Sequence, residues 1–290
     1  MSGVKFITNH VKPNSSFKPS STILNITRQF HNTTVSKFRI SNYNYTNNQQ
    51  FFNLKKALLF SGVFISATTI LTPYLYQIPP FNHFKKNPSH FVYGLIAINL
   101  AVFLAWRIPK FWRVLHRYAL LQKDRQFNSL QIIGSAFSQQ EVWHLAMNML
   151  ALYSFGVSLA QVVGIENFTI LYLNGAVLSS LGSLVYPLLM RLPLVGASLG
   201  ASGALFAVFG CFANLFPMAK IMILFFPIPG GAQVAFLGAM IWNIAGCVMR
   251  WGSFDYAAHF VGGCFGGLFG WYLKEKAERE RERRWSGRLW

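Results

Sequence analysis

Three places in the chain set reactive polar side chains inside apolar sequence. "EVWHLAMNML" carries His144 and Asn148, four residues apart. "GASGA" holds Ser202 between glycines, and "SFDYAAHFVGGCFGGLFGW" carries Asp255 and His259 ahead of Gly262, Gly266 and Gly270. Polar groups in lipid are costly and tend to mark function. On a helix the His144/Asn148 spacing puts both side chains on one face. Two such donors could hold water, a carbonyl or a developing oxyanion; on this segment alone, an interhelical hydrogen bond is the simpler account. Ser202 follows Pro193 and Gly196, which break the chain, so it falls in the first turn of a new helix. Amides there have no intrahelical partner and the local dipole favours negative charge. Taken alone, a serine among glycines equally suits small-residue packing. His259 stands three residues before Gly262 and shares its glycine face. If the partner on that face carries Ser202, the imidazole can take the hydroxyl proton and activate a weak nucleophile. Asp255, one turn before His259, either orients the ring or belongs to a loop.

Composition dictates the elements that must position these groups. Of 290 residues, 53% are hydrophobic and 12% charged, about half the charge of an ordinary soluble domain. Apolar runs approach the roughly 20 residues that a membrane-spanning helix needs. The spacing predicts spans near Ala57–Tyr76, Phe91–Trp106, Val142–Val163, Phe168–Met190, Gly200–Phe216, Ala232–Val248 and Tyr256–Leu273. The expected fold class is therefore an all-α polytopic membrane protein with seven transmembrane helices. A net charge of +18 sits at the chain ends and in short connections. That pattern serves topology and lipid headgroups, and it argues against a nucleic-acid partner. Cys211, Cys247 and Cys264 lie in apolar runs at no metal-ligand spacing, so neither a metal nor a disulfide framework is expected.

Residues 1–54 are basic, rich in Ser, Thr and Asn, and free of acid; the first acidic residue is Asp124. Such a leader reads as a mitochondrial transit peptide, with a disordered cytosolic tail as the plainer alternative. Residues 55–89 supply an extra N-terminal transmembrane helix and linker, 90–273 a six-helix core, and 274–290 a charged C-terminal helix.

These motifs resemble the rhomboid intramembrane serine proteases, whose pattern is a His-x-x-x-Asn helix, a Gly-x-Ser-Gly turn and an Ala-His-x-x-Gly-x-x-x-Gly helix. Here they are His144 to Asn148, Gly200 to Gly203, and Ala258 to Gly266. The leader, the extra span and "SAFSQQEVWHLAMNMLALYSFG" resemble the fungal mitochondrial branch. The resemblance implies that Ser202 is the nucleophile and His259 the general base. It places His144, Asn148 and the Ser202 backbone N–H at the oxyanion hole, with Gly200 at the bend that orients them and Gly203, Phe206, Gly262 and Gly266 in support. It implies no cofactor and no metal. The implied activity is a serine endopeptidase, multi-pass in the mitochondrial inner membrane. Its partners would be the membrane and single-pass inner-membrane substrates, among them a dynamin-like GTPase and imported precursors with bipartite leaders. A catalytically inactive scaffold that binds transmembrane helices is the alternative. Departures from the family pattern are Gln139, where members often have His; Phe206, where they often have an aromatic hydroxyl; and a loop Trp-Arg pair matched only by Trp106-Arg107 or Trp112-Arg113. Ser198 lacks the following glycine and reads as a loop or cap residue.

Overall fold

The computed structural model describes residues 47–286, apart from 124–125, 193–195, 224–225 and 253. Most of the expected leader, and Pro193, lie outside the described residues. The protein is all-α. Helix α1 spans Asn47–Leu75, followed by a short α2, His83–Lys86. Helix α3 spans Pro88–Ala105 and opens with proline at its first position, where the missing N–H costs no hydrogen bond. After α4, Trp112–Tyr118, and α5, Gln131–Gly134, the chain enters α6, Val142–Ala151. A π-helical turn over Leu152–Gly156 leads into α7, Val157–Leu189, which kinks at Gly164 (φ 80°). The third and fourth expected spans meet at that kink. Helix α8 covers Ser202–Leu215, α9 Gly231–Val248 and α10 Tyr256–Ser286. With no glycine or proline between Gly270 and Gly287 to stop it, α10 carries straight into the charged tail.

Four helices among the described residues are long and apolar enough to cross a membrane: Asn53–Leu75, Pro88–Ala105, Val142–Leu189 and Gly231–Val248; Ser202–Leu215 is a shorter apolar helix. Large apolar side chains stand exposed on the outer helices, such as Leu59, Ile70 and Leu71 on α1 and Leu237, Ile241 and Trp242 on α9. In water such surfaces would aggregate; in lipid they are solvated.

Helix α10 packs most extensively against α8, and the reason is visible residue by residue. A Cβ placed on Gly262 would strike the carbonyl of Gly203, one on Gly266 that of Ala207, and one on Gly270 the backbone of Cys211. Residues 203, 207 and 211 recur every four along α8, as 262, 266 and 270 do along α10. The two helices therefore meet backbone to backbone. Helix α7 closes the third side, with Gly175 against Ala207, Ser179 against Gly203, and Gly182 against Val261.

Helix α1 docks on α7 through polar contacts. Thr68 Oγ1 donates to Asn174 Oδ1 at 2.5 Å, Asn174 Nδ2 to Thr69 Oγ1 at 3.3 Å, and the Tyr76 hydroxyl meets Thr169 Oγ1 at 2.7 Å. Such interhelical bonds supply what burial cannot, because lipid tails are as apolar as leucine.

Asp255 locks the segment before α8 onto the start of α10. Its Oδ1 accepts the N–H of Ala258 at 3.2 Å, the bond of a helix N-cap. Its Oδ2 accepts from Ser183 and, at 2.5 Å, from Ser198, and lies 3.7 Å from Lys123 Nζ. Ser198 sits on β2, Ala197–Ser198, which pairs antiparallel with β1, Leu121–Gln122. Burial opposes ionisation of Asp255, but Lys123, the two hydroxyls and the Ala258 amide outweigh it and hold the carboxyl below its usual range.

Two outcomes are expected in thermal unfolding of the purified protein. Gly266→Leu should destabilise by about 1–3 kcal/mol or more, since the side chain must push backbone aside. Asp255→Ala should cost about 1–2 kcal/mol near neutral pH. A carboxyl lowered on folding stabilises above its unfolded pKa, about 3.9, and ceases to as pH falls through the folded value. The Asp255→Ala deficit should therefore shrink in acid below about pH 4; a constant deficit would show that the charge does not matter.

Candidate active site

Ser202 is the first residue of α8 and His259 lies one turn into α10. The glycine seam sets the separation of those two helix starts. Ser202 Oγ stands 2.7 Å from His259 Nε2, within the range of a strong hydrogen bond. Phe206, one turn along α8, stacks on the imidazole with centroids 4.5 Å apart and planes 17° apart. A phenyl ring suffices for the stack.

Ser198 is committed elsewhere. Its hydroxyl bonds Asp255 and lies 3.1 Å from Ser183 Oγ. Of the two Gly-Ala-Ser repeats, the first therefore anchors the loop and the second presents its hydroxyl to a base. Asp255 likewise spends its carboxylate on the loop and the helix cap, and does not orient His259. The other ring nitrogen is met from α9, where Asn243 Oδ1 lies 3.1 Å from His259 Nδ1. Sequence reading passed over Asn243, although a lone asparagine in "AMIWNIAG" is the kind of intramembrane polar residue that marks function.

His144 approaches from α6. A Cβ on Gly200 would lie 2.7 Å from His144 Cε1, and Gly200 has φ +131°, a conformation side-chain-bearing residues rarely adopt. Glycine is thus required at 200 both for the bend and for the closeness of the imidazole. The Gly200 N–H donates to Ser135 O at 2.9 Å, fixing the bend to the segment before α6.

Asn148 is buried one turn deeper. Its Nδ2 donates to Gln139 Oε1 at 2.8 Å, Gln139 Nε2 to Asn99 Oδ1 at 3.1 Å, and Asn99 Nδ2 to Leu95 O at 2.9 Å. Gln139 and Asn99 are fully buried. A carboxamide has two N–H donors; one of those of Asn148 is spent on Gln139, which links it to Asn99 on α3. Gln139 therefore bridges α3 and α6 through the two ends of its carboxamide. Trp106 and Arg107 hold the same loop: Trp106 Nε1 donates to Ser138 Oγ at 2.8 Å and Arg107 Nη2 to Gln140 O at 2.5 Å.

A cleft of about 1010 Å³ opens over Ser202 and His259, lined also by His144, Met147, Lys123 and Tyr186. The cleft can chemically admit a carbonyl to Ser202, with the His259 and His144 imidazoles both on its lining. No cluster of three His, Cys, Asp or Glu suited to a metal occurs among the described residues.

A Rhomboid domain matches residues 126–276. The chain is 56% identical over 227 residues to Rhomboid protein 1, mitochondrial, of Saccharomyces cerevisiae, covering 78% of this chain and 64% of that protein. It is 33% identical over 195 residues to the human Presenilin-associated rhomboid-like protein, mitochondrial, covering 66% of this chain and 50% of that one. With RHOMBOID-like protein 12, mitochondrial, of Arabidopsis thaliana it shares 32% over 152 residues, 48% of this chain and 45% of that one. The chain thus spans about half to two thirds of the length of the curated relatives it matches. With a domain match over half its length, close mitochondrial relatives and several membrane-length apolar helices, this chain belongs to the rhomboid family and is a multi-pass protein of a mitochondrial membrane.

Proposed function

We propose that the chain is a serine endopeptidase of the mitochondrial inner membrane that cleaves membrane-anchored substrates in or near their transmembrane segments. The observation that carries this reading is the 2.7 Å approach of Ser202 Oγ to His259 Nε2 beneath an open cleft. In the proposed reaction Ser202 attacks the scissile carbonyl while its proton passes to Nε2. The oxyanion is met by the Ser202 N–H, at a helix start where amides lack partners, and by His144 and Asn148. The imidazolium returns its proton to the leaving amine as the C–N bond breaks. Water then hydrolyses the acyl ester with His259 again as base, so no metal or cofactor enters the balance.

The organisation that goes with this reading is a presequence over 1–54, an extra span and linker over 55–89, a six-helix core over 90–273 and a charged C-terminal helix over 274–290. Taking Val142–Leu189 as two spans about the Gly164 kink, and adding Ser202–Leu215 and the apolar start of α10, seven spans result. Substrates would be single-pass inner-membrane proteins, a dynamin-like GTPase and imported precursors with bipartite leaders among them. A transmembrane helix must unwind to present a carbonyl. Helix-breaking residues near the cut should therefore help, since Gly and Pro weaken a helix by about 1 and 3 kcal/mol against Ala.

A fluorophosphonate should form one adduct, at Ser202, in the detergent-solubilised full chain. Ser202→Ala should abolish labelling, and His259→Ala should slow it by at least about a thousandfold. Labelling that survives Ser202→Ala would remove Ser202 as nucleophile. Absence of any adduct in the unaltered protein would favour a helix-binding scaffold instead.

A further inference from the structure

From the hydrogen-bond pattern around His259 we infer that Asn243 is its positioning residue, holding the imidazole in the Nδ1–H tautomer so that Nε2 is free to accept from Ser202. This rests on the protease reading for its purpose, but the geometry stands on separate observations. Asn243 is buried at 2% exposure on the inner face of α9, in register with Phe236 and Met240, which pack against Gly263 of α10. Its Nδ2 donates to Ala239 O at 2.8 Å. A carbonyl can only accept and an amide nitrogen can only donate, so that bond decides which end of the carboxamide faces the ring. The end facing His259 Nδ1, at 3.1 Å, is the acceptor Oδ1. The ring nitrogen opposite an acceptor must carry the hydrogen. A neutral imidazole has only one, so Nε2 presents a lone pair to the hydroxyl 2.7 Å away.

The carboxylate usually placed in this role is absent from it, because Asp255 is engaged by Ser183, Ser198, Lys123 and the Ala258 amide. A neutral acceptor suits an apolar surrounding, since it adds no charge to be buried beside the resting imidazole. When the ring becomes positive, the bond from Nδ1–H becomes charge-assisted and strengthens. Asn243 then contributes more at the moment of proton transfer than at rest, the property required of a group that aids a reaction.

The test is nitrogen-15 NMR of histidine-labelled full chain at a pH where the ring is neutral, with the His259 signal assigned by its loss in His259→Gln. The unaltered protein should show Nδ1 protonated and Nε2 bare. Asn243→Leu should lose that preference and slow fluorophosphonate acylation about ten- to a hundredfold, the range of a hydrogen bond to a charged group. Asn243→Asp, which keeps an acceptor, should restore the tautomer and most of the rate. A bare Nδ1 in the unaltered protein overturns the inference whether or not the variants fold. So does an Asn243→Leu protein with tautomer and rate unchanged, or an Asn243→Asp protein as impaired as Asn243→Leu. The expected tautomers in a protein that fluorophosphonate does not label would support the Asn243 assignment and overturn only the protease reading.

Discussion

Helices α8 and α10 meet backbone to backbone along Gly262, Gly266 and Gly270, and the approach of Ser202 to His259 depends on that contact. Hydrocarbon chains solvate leucine as well as another helix does, so apolar burial gives little reason for two helices to associate in lipid. Close approach supplies the dispersion energy in its place, and the glycines of α10 permit it. A hydroxyl and an imidazole at the starts of these helices share a proton over 2.7 Å. A Cβ at Gly262 or Gly266 would strike the facing carbonyl and force these backbones to shift.

Around the seam, polar side chains perform the work that burial performs in a soluble protein. Asn99, Gln139 and Asn148 form one line from α3 to α6. Lys123, Ser183, Ser198 and Asp255 form another cluster that ties the β1–β2 pair to the cap of α10. Thr68, Thr69 and Asn174 tie α1 to α7. Each group would be costly in hydrocarbon without a partner, so each contact both satisfies and specifies. The lines differ in kind: neutral amides lie deep, while the charged cluster is partly exposed at the loop.

The two nearly identical serines show how context separates chemistry from structure. Ser198 lies on a strand, with a carboxylate as its acceptor; Ser202 lies at a helix start, with an imidazole as its acceptor. An acceptor that is already ionised holds the first hydroxyl in place. The second instead faces an imidazole nitrogen, the partner that the proposed proton transfer requires. The left-handed bend at Gly200 separates the two and brings His144 against the chain.

Much of this was readable in order along the chain. Apolar runs announced the helices, because length and hydropathy are properties of consecutive residues. The glycine period on α10 and the His144/Asn148 spacing announced faces, because a helix maps spacing onto direction. The family pattern selected Ser202 over Ser198 from the glycine that follows it. What no single segment carried was pairing between segments. Nearness in sequence offered Asp255 to hold His259, and nothing local pointed to Asn243. Only packing decided that the aspartate turns to the loop and the asparagine, sixteen residues away on another helix, reaches the ring. Gln139 is the same case: its type departs from the expected pattern, yet its partners on α3 and α6 give it the anchoring role. Local sequence determines which residues share a face; tertiary structure decides which faces meet, because that depends on the whole set of surfaces competing for contact.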